Sequence, residues 1–215
     1  MGPWSHEDLS VLRTHVTLHV AGLQGGAILF NKSAPACADN ASCTLNISSS
    51  TFTQNAANMS GGGVSIFTDN LHVALNSSNF TGNSAQQSCG GLCLQTAASS
   101  GSLSMTSINT TFTANSAAQS AGMSTNASSV HLTNCTFSDN TASSGNAGGL
   151  NAHYVHILLL DGCTFENNSA GVHQDKAVCV LLCCAALRCA ALCCAGLCCA
   201  ALRCAVLGRA YAVLC

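Results

Sequence analysis

Charge is scarce in this sequence: only 7% of its 215 residues are Asp, Glu, Lys or Arg, and aromatic residues make up 5%. The formal net charge is −2, and no Lys/Arg stripe with interleaved aromatics occurs, so the electrostatic footprint of a nucleic-acid partner is missing. No phosphate-cradling loop is present, nor a nucleophile set beside a base. Before Val178 there is no 3.6-residue apolar pattern running over ten or more positions, which excludes helical repeats there. What is present in quantity is Ser, Thr, Asn, Gly and Ala. Polarity without charge signals disorder where regularly spaced Val, Ile, Leu and Phe are also lacking, and here they are not lacking.

Those apolar residues recur with a pattern. Phe52, Phe80, Phe112, Phe137 and Phe165 stand 28, 32, 25 and 28 residues apart, and each is followed three positions later by an asparagine: Asn55, Asn83, Asn115, Asn140 and Asn168. A small-residue pair and an apolar residue come next, as Gly62-Gly63-Val64, Gly90-Gly91-Leu92, Ala121-Gly122-Met123 and Gly148-Gly149-Leu150, with an earlier copy at Gly25-Gly26-Ala27-Ile28. Before each Phe lies an alternating stretch, such as Leu71, Val73 and Leu75, which is the mark of a strand with one buried face. Two or three short strands in a repeat of this length predict a solenoid in which each repeat is one turn. Stacked at about 4.8 Å, equivalent residues form columns. The Phe column becomes a stack of rings, the Asn column a ladder of amides, and the glycines are expected to turn tight corners through φ > 0.

The two motifs FxxN and GGA[ILV], repeated in this order over about residues 16–172, resemble the repeat of the chlamydial-type polymorphic outer-membrane proteins, within the pectin-lyase-like right-handed parallel β-helix superfamily. The resemblance implies an all-β, right-handed parallel β-helix of about five to six turns, exposed at a surface or secreted, and acting in adhesion. That family's export signal and C-terminal β-barrel have no counterpart in these residues, so the chain is expected to be a fragment. We expect a partial-turn or unstructured segment over residues 1–15, the solenoid over 16–176, and a low-complexity hydrophobic tail, helical or disordered, over 177–215.

Six cysteines precede the tail region. Cys37 and Cys43 bracket an insertion, "CADNASC", and are candidates for a disulfide. Cys135 and Cys163 each sit two residues before a Phe and would lie over one another on adjacent turns, at a separation disulfides use. Buried thiols are the other reading, since Ser50, Ser78 and Thr110 occupy the same position in other turns. Cys89 and Cys93 flank a glycine corner, "CGGLC". No His or Cys spacing of a metal site accompanies any of them, and neither a metal nor another cofactor is expected. Sequons at Asn31, Asn40, Asn46, Asn58, Asn76, Asn79, Asn109, Asn126, Asn134 and Asn167 favour a secreted glycoprotein.

The rival to a passive solenoid is a polysaccharide-cleaving one, which needs grouped carboxylates with Lys or Arg beside them. Asp139 and Glu166, on neighbouring turns, come nearest to such a pair, and two solvated acids at a bend are the far commoner explanation. His72, His131, His153 and His156 fall at different offsets and form no column. No catalytic residue is therefore assigned. From Cys183 the sequence repeats with period five ("CCAAL", "RCAAL"), and three readings compete: a turn resembling the pentapeptide-repeat family, a membrane-associated helix within residues 178–202, or translated tandem-repeat DNA. The expectation is a non-enzymatic extracellular or cell-surface β-helix, adhesive or structural, whose partners are surface or wall glycans or proteins; the alternative is a degenerate polysaccharide-active β-helix.

Overall fold

The computed structural model describes residues 25–32, 43–96, 102–145 and 147–171, with the backbone of five further strands at Leu9–Leu12, His15–Thr17, Val20–Ala21, Val178–Leu181 and Ala186–Cys189. The fold is an all-β solenoid. Its strands form four parallel sheets, visited in a fixed order once per turn. Sheet 1 contains Cys43–Ser48, Leu71–Asn76, Ser104–Ile108, Ser129–Thr133 and Ile157–Asp161; sheet 2 contains Thr51–Thr53, Asn79–Thr81, Thr111–Thr113, Thr136–Ser138 and Thr164–Glu166. Sheet 3 is built from the two-residue strands Ala56–Ala57, Ser84–Ala85, Ser116–Ala117, Thr141–Ala142 and Ser169–Ala170, and sheet 4 from Ile28–Lys32, Val64–Thr68, Leu92–Gln95, Met123–Thr125 and Leu150–His153. Four turns, from Cys43 to His153, have all four of their strands described.

Each turn thus has four strands rather than two or three. The extra ones are the sheet 3 pairs, which are too short to display any alternation in sequence.

Sheet 1 puts one face inside. Leu45, Val73, Met105, Val130 and Leu158 stack in register, each 2% exposed or less, and Ile47, Leu75, Ser107, Leu132 and Leu160 form the column beside them. Sheet 4 differs, because Ser65, Cys93, Ser124 and Asn151, on the side away from the core, are buried too. Bends before the strands cover this side: Cys89 is disulfide-bonded to Cys93 in its own turn, and Asn151 Nδ2 donates at 2.7 Å to Ser120 Oγ in the bend of the preceding turn.

Strand pairing runs past the expected limits of 16 and 176. Leu9–Leu12 pairs with sheet 1, while Val178–Leu181 joins sheet 4 beside Leu150–His153 and Ala186–Cys189 joins sheet 1 beside Ile157–Leu160. Part of the tail is therefore strand, where a helix or disorder was expected. The end of a coil offers a row of unpaired N–H and C=O groups, and the next segment satisfies them by pairing. The rest of the period-five region lies outside the described residues. Among the described residues no helix is long and apolar enough to cross a membrane, so the membrane reading of 178–202 falls largely beyond what is described.

Candidate functional site

The corner between sheets 2 and 3 carries the most repeated residues. Phe52, Phe80, Phe112, Phe137 and Phe165 stack face to face, with centroid separations of 4.8, 4.9, 4.7 and 4.9 Å and interplanar angles that fall from 19° to 5°. All are buried. Three residues on, the asparagines form a ladder. Asn83 Nδ2 and its backbone N–H both donate to Asn115 Oδ1 at 3.0 Å, and the same Nδ2 reaches back to Phe52 O at 2.9 Å. Asn115 repeats this toward Asn140 and Phe80, and Asn140 toward Asn168 and Phe112. Asn55 joins from the other side by donating to Asn83 Oδ1. Each side chain thus ties its own turn to the turns before and after. Buried amides require such partners, since an unmet donor or acceptor costs about 1–3 kcal/mol.

The corner between sheets 1 and 2 is built differently. Ser50, Ser78, Thr110, Cys135 and Cys163 form one buried column, and each donates to the carbonyl two residues earlier in its own turn: Ser48 O at 2.9 Å, Asn76 O at 3.1 Å, Ile108 O at 3.2 Å, Thr133 O at 3.4 Å and Asp161 O at 3.6 Å. Cys135 and Cys163 are free thiols, not the disulfide that their position suggested. Turning each sulfur toward its own carbonyl satisfies it in the way the hydroxyls are satisfied elsewhere in the column. Cys135 also reaches Ser107 Oγ at 3.4 Å, which gives that buried hydroxyl a partner among aliphatic neighbours. Donation from Cys163 pulls the Cys135 thiol below the usual range, and the same bond, together with burial, pushes Cys163 up.

A disulfide does form between Cys89 and Cys93, whose Cα atoms are 5.2 Å apart across the glycine corner. The five-residue "CGGLC" was its signal. Cys43 is disulfide-bonded, and Cys37, the expected partner, lies outside the described residues.

The corner glycines do not act as expected. Only Gly25 of the nine has a positive φ, +63°. Seven of the others are needed for space: a Cβ on Gly90 would lie 2.5 Å from Ser116 O, one on Gly148 2.5 Å from Ser169 O and one on Gly122 2.5 Å from Gly149 O, while those on Gly26, Gly62 and Gly91 would run into Gly62 O, Ser84 O and Gly122 O. Gly63 meets Gly91 O in the same way at 2.7 Å. Stacked turns here bring backbone against backbone, and of larger residues only alanine enters these columns, as Ala27 and Ala121. The left-handed bends sit elsewhere. Ser49, Ser77, Asn109, Asn134 and Gly162 have φ from 48° to 61°, and Gln54, Gly82, Ala114, Asp139 and Asn167 from 51° to 64°. Asn and Asp adopt this region more readily than most residues, and single positions bear it.

Outside, the columns of sheet 2 are polar and neutral except for Glu166. Sheet 2 presents Thr51, Asn79, Thr111, Thr136 and Thr164 in one column and Thr53, Thr81, Thr113, Ser138 and Glu166 in the next. Thr111 Oγ1 donates to Asn79 Oδ1 at 2.8 Å, and the hydroxyls of Thr113 and Ser138 are 3.1 Å apart. Glu166 pairs in register with Ser138 and Asp161 with Thr133, so neither faces another acid, and Asp139 is exposed at its bend. His72 sits between Ser104 Oγ and Thr106 Oγ1, at 2.9 and 3.1 Å, and His131 pairs in register with Thr106. Burial lowers the pKa of His153. Among the described residues no three His, Cys, Asp or Glu side chains converge to hold a metal ion. The described sequon asparagines are exposed or half-buried, and none belongs to the buried ladder.

No family model, no curated protein and no solved structure matches this chain.

Proposed function

We propose that this solenoid is a non-enzymatic extracellular or cell-surface protein of adhesive or structural use, its repeat related to that of the polymorphic outer-membrane proteins in the pectin-lyase-like superfamily. The observation that carries the reading is the contrast between a heavily bonded interior and outer columns of neutral hydroxyls and amides, in which no two described carboxylates pair in register. Such a rod presents a stiff, sparsely charged, hydrogen-bonding surface of the kind that suits glycans or wall proteins. The sequons on its outside fit an exported chain. Support for the family lies in the recurrence of FxxN and of a glycine pair, Ala121-Gly122 in one turn, at the same two places of each described turn.

A glycan-array screen, combined with product analysis on polygalacturonate and alginate, tests this. Binding without cleavage is expected, and Asp139→Asn with Glu166→Gln together should leave it within a few-fold. Cleavage products that disappear in the double variant would establish the polysaccharide-active alternative.

A further inference from the structure

The outward face of sheet 2 is a two-dimensional lattice. Along the axis its residues repeat at the spacing of the rings beneath them, 4.7–4.9 Å. Across the strand, the two outward columns are two residues apart, about 6.7 Å. Seven of the ten outward positions in the five described strands from Thr51 to Glu166 are threonine: Thr51, Thr53, Thr81, Thr111, Thr113, Thr136 and Thr164. Threonine is favoured in strands generally, but sheet 1 supplies an internal control. Of its fifteen outward positions between Thr44 and Asp161, only Thr44, Thr106 and Thr133 are threonine, in the same parallel stack. Strand preference alone therefore does not account for the threonines of sheet 2.

Threonine has one further property. Its β-branch stiffens χ1, so its hydroxyl and methyl are held at set points with little entropy left to lose. The stacked rings and the asparagine ladder hold the strands beneath. A surface that is rigid, uncharged except for Glu166 at its end and periodic in two directions gains most from a partner that repeats at the same intervals, since each added turn contributes one more matched row. A single flexible sugar chain makes no use of that periodicity. Hexagonal ice does, because the oxygen atoms on its prism faces repeat at two spacings close to these, and threonine supplies both a hydroxyl to join the lattice and a methyl to order the water between rows.

We infer that the threonine face of sheet 2 binds the surface of ice. The solid is recognised by commensurate spacing and hydroxyl chemistry, and the inference does not depend on glycan binding.

The test uses the full chain in buffer cooled to form single ice crystals, with crystal shape, thermal hysteresis and recrystallisation recorded. Faceted crystals and inhibited recrystallisation are expected. Thr113→Tyr, which keeps a good strand former at the centre of the lattice, should abolish both, while Thr133→Tyr on sheet 1 should leave both unchanged. Circular dichroism of both variants checks that the solenoid is retained. Round, unfaceted crystals up to the solubility limit of the wild-type chain would overturn the inference. So would equal loss in both variants, Thr113-dependent self-association without ice activity, or a glycan found at Asn79 in the native protein, where it would cover the lattice.

Discussion

The corner between sheets 2 and 3 and the corner between sheets 1 and 2 solve the same problem, a sharp bend in a buried chain, yet one is invariant from turn to turn and the other is not. All five asparagines are kept at the first, whereas the second accepts Ser, Ser, Thr, Cys and Cys. The difference follows where the hydrogen bonds go. An asparagine bonds to the turns on either side, so one replacement breaks partners on its neighbours as well as its own. A Ser, Thr or Cys bonds to a carbonyl two residues back in its own turn, and its contacts with the preceding turn, such as Ser78 Oγ to Ile47 O and Cys163 Sγ to Leu132 O, need only a small hydroxyl or thiol. Repetition of the same residue therefore marks a side chain that must give and accept at once between turns, rather than burial as such.

The strongest way to break this contrast is Asn115→Leu. It strips the acceptor from the Asn83 N–H and side chain and the donor from Phe80 O and Asn140 Oδ1, so it should cost upwards of about 4 kcal/mol. Chemical denaturation would read this as a large fall in midpoint or as failure to fold. Loss of under about 1 kcal/mol would mean that the ladder does not couple the turns.

Phe112→Ala comes next. It leaves a cavity between two stacked rings, with an expected loss of about 3–5 kcal/mol. Thr113→Ala, one residue away and facing out, should stay within about 0.5 kcal/mol. Equal effects from the two would refute the stacked-ring interior.

The smallest effect sharpens the comparison from the other corner. Cys135→Ser should change stability by no more than about 1 kcal/mol, because Ser50 and Ser78 already make the same bond. The same protein offers a check on burial: Cys135 and Cys163 should resist thiol reagents in the native state and react once it is unfolded. A destabilisation as large as that of Asn115→Leu would show that residue identity matters in this column as much as in the asparagine ladder.

Which features were legible beforehand follows the same division. The Phe and Asn columns could be read because contact between turns demands the same residue at each level. Sheet 1 could be read because its strands are long enough to alternate. Sheet 3 could not, as a two-residue strand carries no period. The glycine pair was legible as a corner but its reason was not: tight backbone approach and positive φ both select glycine, and only coordinates separate them. Likewise Cys135 and Cys163 stood at a disulfide distance in sequence terms, while the direction of each sulfur was decided by the carbonyl beside it. The threonine lattice was hidden in a composition where Ser, Thr and Asn occur everywhere. It emerges only when outward positions are sorted by sheet.

Spacing along the chain shows one more regularity. In each described turn the Phe follows the sheet 1 partners Thr44, His72, Ser104, Ser129 and Ile157 by eight residues, and sheet 3 begins four residues after the Phe. Length varies only on either side of sheet 4, where the step from its first described register position to sheet 1 runs from six residues, Met123 to Ser129, to sixteen, Ile28 to Thr44. Insertions are absorbed where no ladder has to be kept.

The asparagine column has a sense as well as a register. Every amide described points the same way, each nitrogen giving to the oxygen of the following turn and each oxygen receiving from the preceding one. The amide dipoles therefore add rather than cancel, much as aligned peptide units do along a helix, and the rod has an electrical head and tail. Turns cut from it would be modular in only one orientation: a segment grafted after the asparagine of one turn must bring an acceptor to meet it, and one grafted before must bring a donor. A spliced solenoid that reversed this order at the junction would set like ends of the amide column against each other at its centre.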